Sequence, residues 1–318
     1  MKIAIVYGTR PEYIKLEPLF RSGVEVIKVN QHTSLLELEG AKFTRSIEVL
    51  ESSDRLNSIF SSIISSNAFD GIDLLIVQGD TATAAASAIA AFNKKIKIAH
   101  VEAGLRTWNK NSPFPEEGYR CIISEIADYH FCPTSLAASN LKKSNVYVTG
   151  NTGLDSLLSV KVSNVNNSIP VTLHRSENKH IIDEWLSVIN ELSYKIGKTF
   201  DFYKHPSVKC SEFENIRILP PINRKCFAEV LASSSFVITD SGGIQEEASF
   251  FGKKVIVCRD STERPEGIDS GHLFMCSGPK DIFYMYDKLI SSGEPLGCPY
   301  GNGRAASAIW NTLDGLSL

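Results

Sequence analysis

Much of what a chain of 318 residues can carry is missing here, and each gap excludes a class of function. Acidic and basic residues nearly balance at a formal charge of -3, so there is no broad electrostatic footprint for nucleic acid or an anionic membrane. Cysteines stand at 121, 132, 210, 226, 258, 276 and 298, with no Cys-x-x-Cys pair and several inside apolar runs. They read as small core hydrophobes of a reducing compartment, neither disulfides nor zinc ligands. The apolar run Ile3 to Tyr7 is too short for a signal-peptide core and no later stretch could span a bilayer, so a cytoplasmic protein is expected. Internal repeats and low-complexity tracts are absent. The first strand ends in Gly8-Thr9-Arg10-Pro11-Glu12, without the second and third glycines that bring a dinucleotide pyrophosphate onto the backbone, so no NAD cofactor is expected. Neither histidine spacing nor a dense oxygen-ligand loop points to a metal.

What is present is a recurrence of short Val/Ile-rich runs between helical patterns, the mark of parallel sheets flanked by helices. Strands are expected at Lys2–Tyr7, Val24–Val29, Leu74–Gln78, Ile96–Val101, Tyr129–Cys132 and Val146–Thr149, then at Val171–Leu173, Phe200–Tyr203, Ile216–Leu219, Phe236–Thr239 and Val255–Cys258. The polar, Asn-rich stretch Val162 to Ser168 reads as a linker. The fold class is therefore α/β: two doubly wound, Rossmann-like domains with parallel sheets at 1–160 and 168–300, with a cleft between them. Ala305, Ile309, Trp310, Leu313 and Leu316 form a helical stripe in need of a surface to cover.

In such sheets ligands bind beyond the carboxyl ends of the strands. Here those ends carry Arg10, Asp80, Glu102, His174, Arg175 and the turn Asp240-Ser241-Gly242-Gly243. The last opens a helix: free N–H groups and the positive end of the helix dipole face outward, and glycines let an anion approach, so a phosphate is the expected ligand. Glu247, one turn further in, is placed to accept hydrogen bonds from a sugar diol. Arg10 offers a planar fork for phosphate, with Lys15 further along its helix, although a solvated surface pair fits the same positions. Asp80, Glu102 and the pair Glu116-Glu117 could act as general acid and base; helix N-terminal acids favoured by the dipole are the other account of that pair. His174 beside Arg175 could meet a phosphate or a departing nucleotide, where a lone histidine is more often structural.

Together these segments resemble the UDP-N-acetylglucosamine 2-epimerase family. The resemblance rests on Gly8 to Glu12, Gly79-Asp80-Thr81, His100 to Thr107, Ser112 to Arg120, Thr149 to Thr152, His174 to Asn178, Asp240 to Glu247, Arg259 to Glu266 and Pro299 to Gly303, in order along the chain. It implies a glycosyltransferase type B-like fold, with UDP held mainly by the second domain and a last helix, 301–318, packing back on the first. By motif, Ser241, Gly242 and Gly243 would hold the diphosphate with Arg10 and His174, Glu247 the ribose and Phe227 the uracil. Asp80, Glu102 and Glu116 match the family's acid/base carboxylates; Lys15, Arg120 and Arg264 match cations of its cleft. The implied reaction is interconversion of UDP-N-acetylglucosamine and UDP-N-acetylmannosamine for surface polysaccharide precursors. It needs no nicotinamide and no metal, and the implied partners are the UDP-sugar and a second copy of the chain in a homodimer.

The chain departs from that family's pattern in being shorter than typical members, with trimmed segments after Leu19, after His32 and around Ser163 to Ser168. Non-hydrolysing bacterial members bind a second substrate molecule near the catalytic site, and the resemblance implies that Gln31, His32, Arg55 and His205 would be the remnants of that allosteric site, with activation by substrate not expected. Thr33 and Ser34 replace polar family residues there, and His205 runs directly into Pro206. Other readings stay open: a hydrolysing relative releasing UDP and free amino sugar, which Tyr13 resembles; an epimerase of a decorated UDP-sugar; a UDP-sugar glycosyltransferase; and a non-enzymatic sensor. The aligned carboxylates of the first domain argue against the last two.

Overall fold

A computed structural model of the chain describes residues 1–31, 40–50, 52–111, 113–161, 168–175 and 177–316. It divides into two compact units, one made of Met1–Asp155 with Gly301–Leu318, the other of Ser156–Tyr300. The break falls after Asp155, inside a 3-10 segment at Thr152–Ser159, rather than at 160.

In the first unit the described strands are β1 (Ile3–Tyr7), β2 (Val24–Val29), β3 (Arg45–Ile47), β4 (Leu74–Gln78), β5 (Lys97–Val101), β6 (Tyr129–Cys132) and β7 (Val146–Val148). They form a parallel sheet in the order β3-β2-β1-β4-β5-β6-β7. All five residues of β1 and of β4 are buried, as a strand covered on both faces requires. Helices α1 (Arg10–Leu16), α2 (Arg55–Ile64), α3 (Ala82–Asn93), α4 (Glu116–Ile126) and α5 (Ser135–Ser139) connect them. The alanines of α3 let it pack closely against α2 and α4, where Ile59, Ile63, Ala85, Ala88 and Ile123 share one core. A second core, on Tyr7, Tyr13, Leu16 and Leu19, is completed by Ile309, Trp310 and Leu313 of the C-terminal helix (Ala305–Gly315). Asp155 caps that helix, accepting the amides of Ala305 and Ala306 at 3.0 and 2.8 Å.

The second unit holds β8 (Ser168–Thr172), β9 (Thr199–Tyr203), β10 (Ile216–Leu219), β11 (Phe236–Thr239), β12 (Lys254–Val257) and β13 (Leu273–Met275), in the order β10-β9-β8-β11-β12-β13. Its helices are α6 (Ile182–Ile196), α7 (Arg224–Ser233), α8 (Gly242–Phe250), α9 (Glu266–Asp269) and α10 (Ile282–Ser291). Trp185 and Ile189 of α6 meet Val171, Phe200, Phe202 and Ile238 of the sheet. Thus both sheets belong to the doubly wound class expected from the sequence.

Three expectations need correction. The linker segment lies outside the described residues at 162–167, but Ser168 is the first residue of β8, not part of a linker. β8 therefore starts earlier than Val171 and contains Pro170, tolerated because pairing with β11 begins only at Val171. The three-residue strands β3 and β13, at or near sheet edges, carry too little pattern to be read in advance. Among the described residues no helix is long and apolar enough to cross a membrane.

Candidate active site

Parallel register brings the ends of β1, β4 and β5 side by side: Ile3 pairs with Leu74, and Gln78 with Val101. The residues that follow, Gly8 to Arg10, Gly79-Asp80 and Glu102, therefore share one edge of the first unit. Thr9 starts α1 by a reciprocal capping box with Glu12. Glu12, 1% exposed, accepts the amides of Gly8 and Thr9 at 2.9 and 2.7 Å and the hydroxyl of Thr81, which itself caps α3. Burial raises its pKa against the pull of those hydrogen bonds. Glu12 is thus the carboxylate that ties the α1 entrance, with Arg10 and Lys15 on it, to the Asp80 loop. Gly8 has no alternative at this junction, because a Cβ there would stand 2.2 Å from Thr83 Oγ1.

Two carboxylates at this edge are held by cations. Lys15 Nζ lies 2.5 Å from Glu102 Oε1, with the side chains 17% and 8% exposed, and Gln78 Nε2 donates to Glu102 Oε2. Glu102 itself has φ +63°, a left-handed backbone that costs a non-glycine residue about 1 kcal/mol or more and is met where geometry serves a site. Behind it, buried His100 donates from Nε2 to the Gly79 carbonyl at 2.8 Å, and desolvation pushes its pKa down to about 4. Asp80 receives Arg120 on a single oxygen: Nε and Nη2 lie 2.7 and 2.6 Å from Oδ2. Arg120 is gripped from the other side by Glu117 at 3.0 Å. Glu117 also accepts the amides of Thr107 and Trp108; burial works to raise its pKa, yet those amides and Arg120 outweigh it and hold the carboxyl below the usual range. Glu116, at the start of α4, keeps Oε2 buried and without a hydrogen-bond partner among the described residues.

In the second unit the end of β8 meets the end of β11, where Thr172 and Thr239 are register partners whose hydroxyls lie 2.7 Å apart. Asp240, fully buried, accepts the amides of His174 and Arg175 at 2.9 Å each and Asn178 Nδ2 at 3.0 Å. Asn178 is locked in turn by the Cys258 carbonyl and by Trp185 Nε1, each at 3.0 Å. His174 and Arg175 are thereby fixed beside Ser241, the N-cap residue of α8. Space around Gly243 is open, since a Cβ there would meet nothing within 4 Å. At Gly242 a Cβ would come 2.5 Å from Arg264 Nη1.

Arg264 is 6% exposed and bonded to Glu246 at 2.6 Å and Glu263 at 2.5 Å. Glu263 pairs as well with Arg259 at 3.0 Å; although burial opposes it, the two guanidiniums hold its carboxyl far below the ordinary range. Arg264 thus backs the α8 turn within an ion-pair cluster. Glu247 receives Arg224 Nε at 2.9 Å, and Phe227 stands edge-on to Tyr203 with ring centroids 5.1 Å apart. No group of three or more His, Cys, Asp or Glu side chains among the described residues is arranged to hold a metal ion.

Residues 48–314 match the family model of UDP-N-acetylglucosamine 2-epimerase. The chain belongs to this family. It is 34% identical to the UDP-N-acetylglucosamine 2-epimerases of Salmonella borreze, over 97% of both chains, and of Campylobacter jejuni, over 98% of this chain and 97% of that one. Among solved structures it is similar to the Neisseria meningitidis UDP-GlcNAc 2-epimerase bound to UDP-GlcNAc, with TM-score 0.87 and 31% identity over 99% of this chain and 100% of that one. A Methanocaldococcus jannaschii UDP-GlcNAc 2-epimerase in complex with UDP-GlcNAc and UDP gives TM-score 0.87 and 28% identity, covering 99% of each chain. A glycotransferase of kitacinnamycin, 10% identical with TM-score 0.65, shares the fold alone, the glycosyltransferase type B-like class.

Against the family's expected second-substrate site, Gln31 and Arg55 come together: Arg55 donates to the Gln31 carbonyl, and both line a cavity of about 730 Å³ with Asn30, Glu48, Val49, Leu50 and Ser52. His32 lies outside the described residues. His205, in the second unit, stacks on His174 with centroids 5.7 Å apart. Tyr13, the point of likeness to hydrolysing relatives, is 2% exposed and packs edge-on between Tyr7 and Phe20, a core residue rather than a site residue. Sequence reasoning missed Glu12, Gln78, Arg224, Glu246 and Glu263 as site residues, and gave Glu117 and Asp240 without the holding roles they have here. Several stood inside quoted motifs, but partners far along the chain decide their roles.

Proposed function

We propose that the chain is a non-hydrolysing epimerase that interconverts UDP-N-acetylglucosamine and UDP-N-acetylmannosamine. The observation that carries this reading is the pair of cation-held carboxylates, Asp80 with Arg120 and Glu102 with Lys15, at adjoining strand ends. A transferase or a sensor has no need of them. The C2 hydrogen of the sugar has no adjacent carbonyl to acidify it, so direct deprotonation is too slow. In the elimination, a carboxylate takes the C2 proton while the C1–O bond breaks and its electrons leave with UDP, giving a 2-acetamidoglucal. Negative charge gathers on the departing diphosphate, and Ser241, Gly242, Gly243, Arg175 and His174 of the second unit stabilise it. Re-addition of UDP to C1 and of a proton to the other face of C2 gives the manno epimer.

Glu247, now paired with Arg224, is assigned to the ribose, Phe227 to the uracil, and Glu116 to the acid/base set. Arg264 and Arg120 act through the groups they hold. The reading extends to a cytoplasmic homodimer, which sedimentation of the purified protein tests. For the reaction itself, UDP-N-acetylglucosamine is incubated with the protein in deuterated water and followed by NMR. Deuterium at C2 with a UDP-manno product is expected. Free N-acetylmannosamine with UDP would replace the proposal by hydrolysis, and absence of C2 exchange would refute it.

A further inference from the structure

Asp240 has more hydrogen-bond capacity than its three donors use. Those donors, the His174 and Arg175 amides and Asn178 Nδ2, all converge on Oδ2. Among the described residues Oδ1 is buried with no hydrogen-bond partner, and His174 Nδ1 lies 3.3 Å from it. An ionised carboxylate oxygen facing a ring nitrogen selects the tautomer that carries its proton on that nitrogen. In a neutral imidazole this leaves Nε2 as a bare acceptor. Such a nitrogen repels phosphate oxygens, whereas the doubly protonated ring donates to one and is balanced by Asp240 from behind.

We propose that Asp240 is a positioning residue that holds His174 with its Nδ1–H turned inward, so that the ring meets a nucleotide diphosphate only as an imidazolium and binding takes one proton from solvent. The inference rests on the UDP-sugar reading and deepens it. Charged groups around the ring come from each neighbouring segment: Asp240 before α8, His205 after β9, and Arg175 and Lys179 beyond β8. Burial depresses the pKa of His174, Asp240 opposes this, and His205, Arg175 and Lys179 add to the depression. Burial therefore favours the neutral form of the free ring, which has a site for the proton that the anion brings in.

The test is calorimetric titration of the full chain with UDP at pH 8, in buffers of different ionisation enthalpy. At that pH the terminal phosphate of UDP has already lost its second proton, with a pKa of about 6. Uptake of most of one proton is expected, with the Kd for UDP rising by up to about tenfold per pH unit. His174→Gln should bind UDP more weakly with no uptake, and Asp240→Asn should bind more weakly with uptake at least halved. If Asp240→Asn does not fold, His174→Gln and the wild-type pH series carry the test. Tight UDP binding without proton uptake, or full uptake retained in His174→Gln, would overturn the proposal. Failure of the wild type to bind UDP at all would instead overturn the UDP-sugar reading on which it stands.

Discussion

Asp80 is held by Arg120, and Glu102 by Lys15 on one oxygen and Gln78 on the other. Glu12 and Glu117 spend their oxygens on amides, a hydroxyl and Arg120, whereas Asp80 takes Arg120 Nε and Nη2 together on Oδ2. Asp80→Asn or Glu102→Gln is expected to lower C2 exchange by about 10²- to 10⁴-fold while leaving UDP affinity nearly intact. Exchange by NMR and binding by calorimetry separate the two, and equal losses would mean that these side chains hold ligand or fold. His100 yields a prediction about stability. Its folded pKa is pushed down to about 4 from an ordinary 6.5, so between those values the unfolded chain binds the extra proton and the folded one does not. Stability is then whole above pH 6.5, falls as pH drops toward 4, and His100→Gln should flatten that part of a urea-midpoint series. At this scale the sequence showed which residues carry chemistry but not their pairings. Arg264 read as a cleft cation, yet Glu246 and Glu263 surround it, eighteen residues upstream and one upstream along the chain.

Among the elements, strands built on short runs rich in Val, Ile, Leu and aromatic residues were legible almost to the residue. β4, β6, β10 and β11 lie where their Val, Ile, Leu and aromatic residues put them. What escaped was governed by pairing rather than composition: β8 passes through Pro170, and β3 needs β2 beside it before three residues become a strand. The C-terminal helix was legible from its stripe, but its start depends on Asp155, far away in sequence. Asp155→Ala removes that cap and should cost about 1 kcal/mol. Hydrogen exchange at Ala305 and Ala306 should quicken first, while amides of the second unit keep their protection.

At the scale of the whole molecule, both the two-unit α/β class and the family could be read from residue order alone, because each strand end carries its motif. The unit boundary could not, since the turn at Thr152–Ser159 has no composition to mark it. A chain ended at Tyr300 lacks Ile309, Trp310 and Leu313, buried side chains each worth about 1.5–3 kcal/mol. Such a truncation is expected to lower the urea midpoint of the first unit and to bind hydrophobic dyes at Tyr13, Leu16 and Leu19. An unchanged midpoint would mean that the helix is not part of that core.

The Asp155 cap also bears on the order in which the protein is made. A ribosome delivers Asp155 well before Ala305, and the entire second unit emerges between them. The contiguous half can therefore close while the other still shows a bare apolar groove. The usual sequence of birth, amino-terminal domain first, is then expected to be inverted. Until the Ala305–Gly315 helix is released, the nascent first unit is expected to need shelter from aggregation.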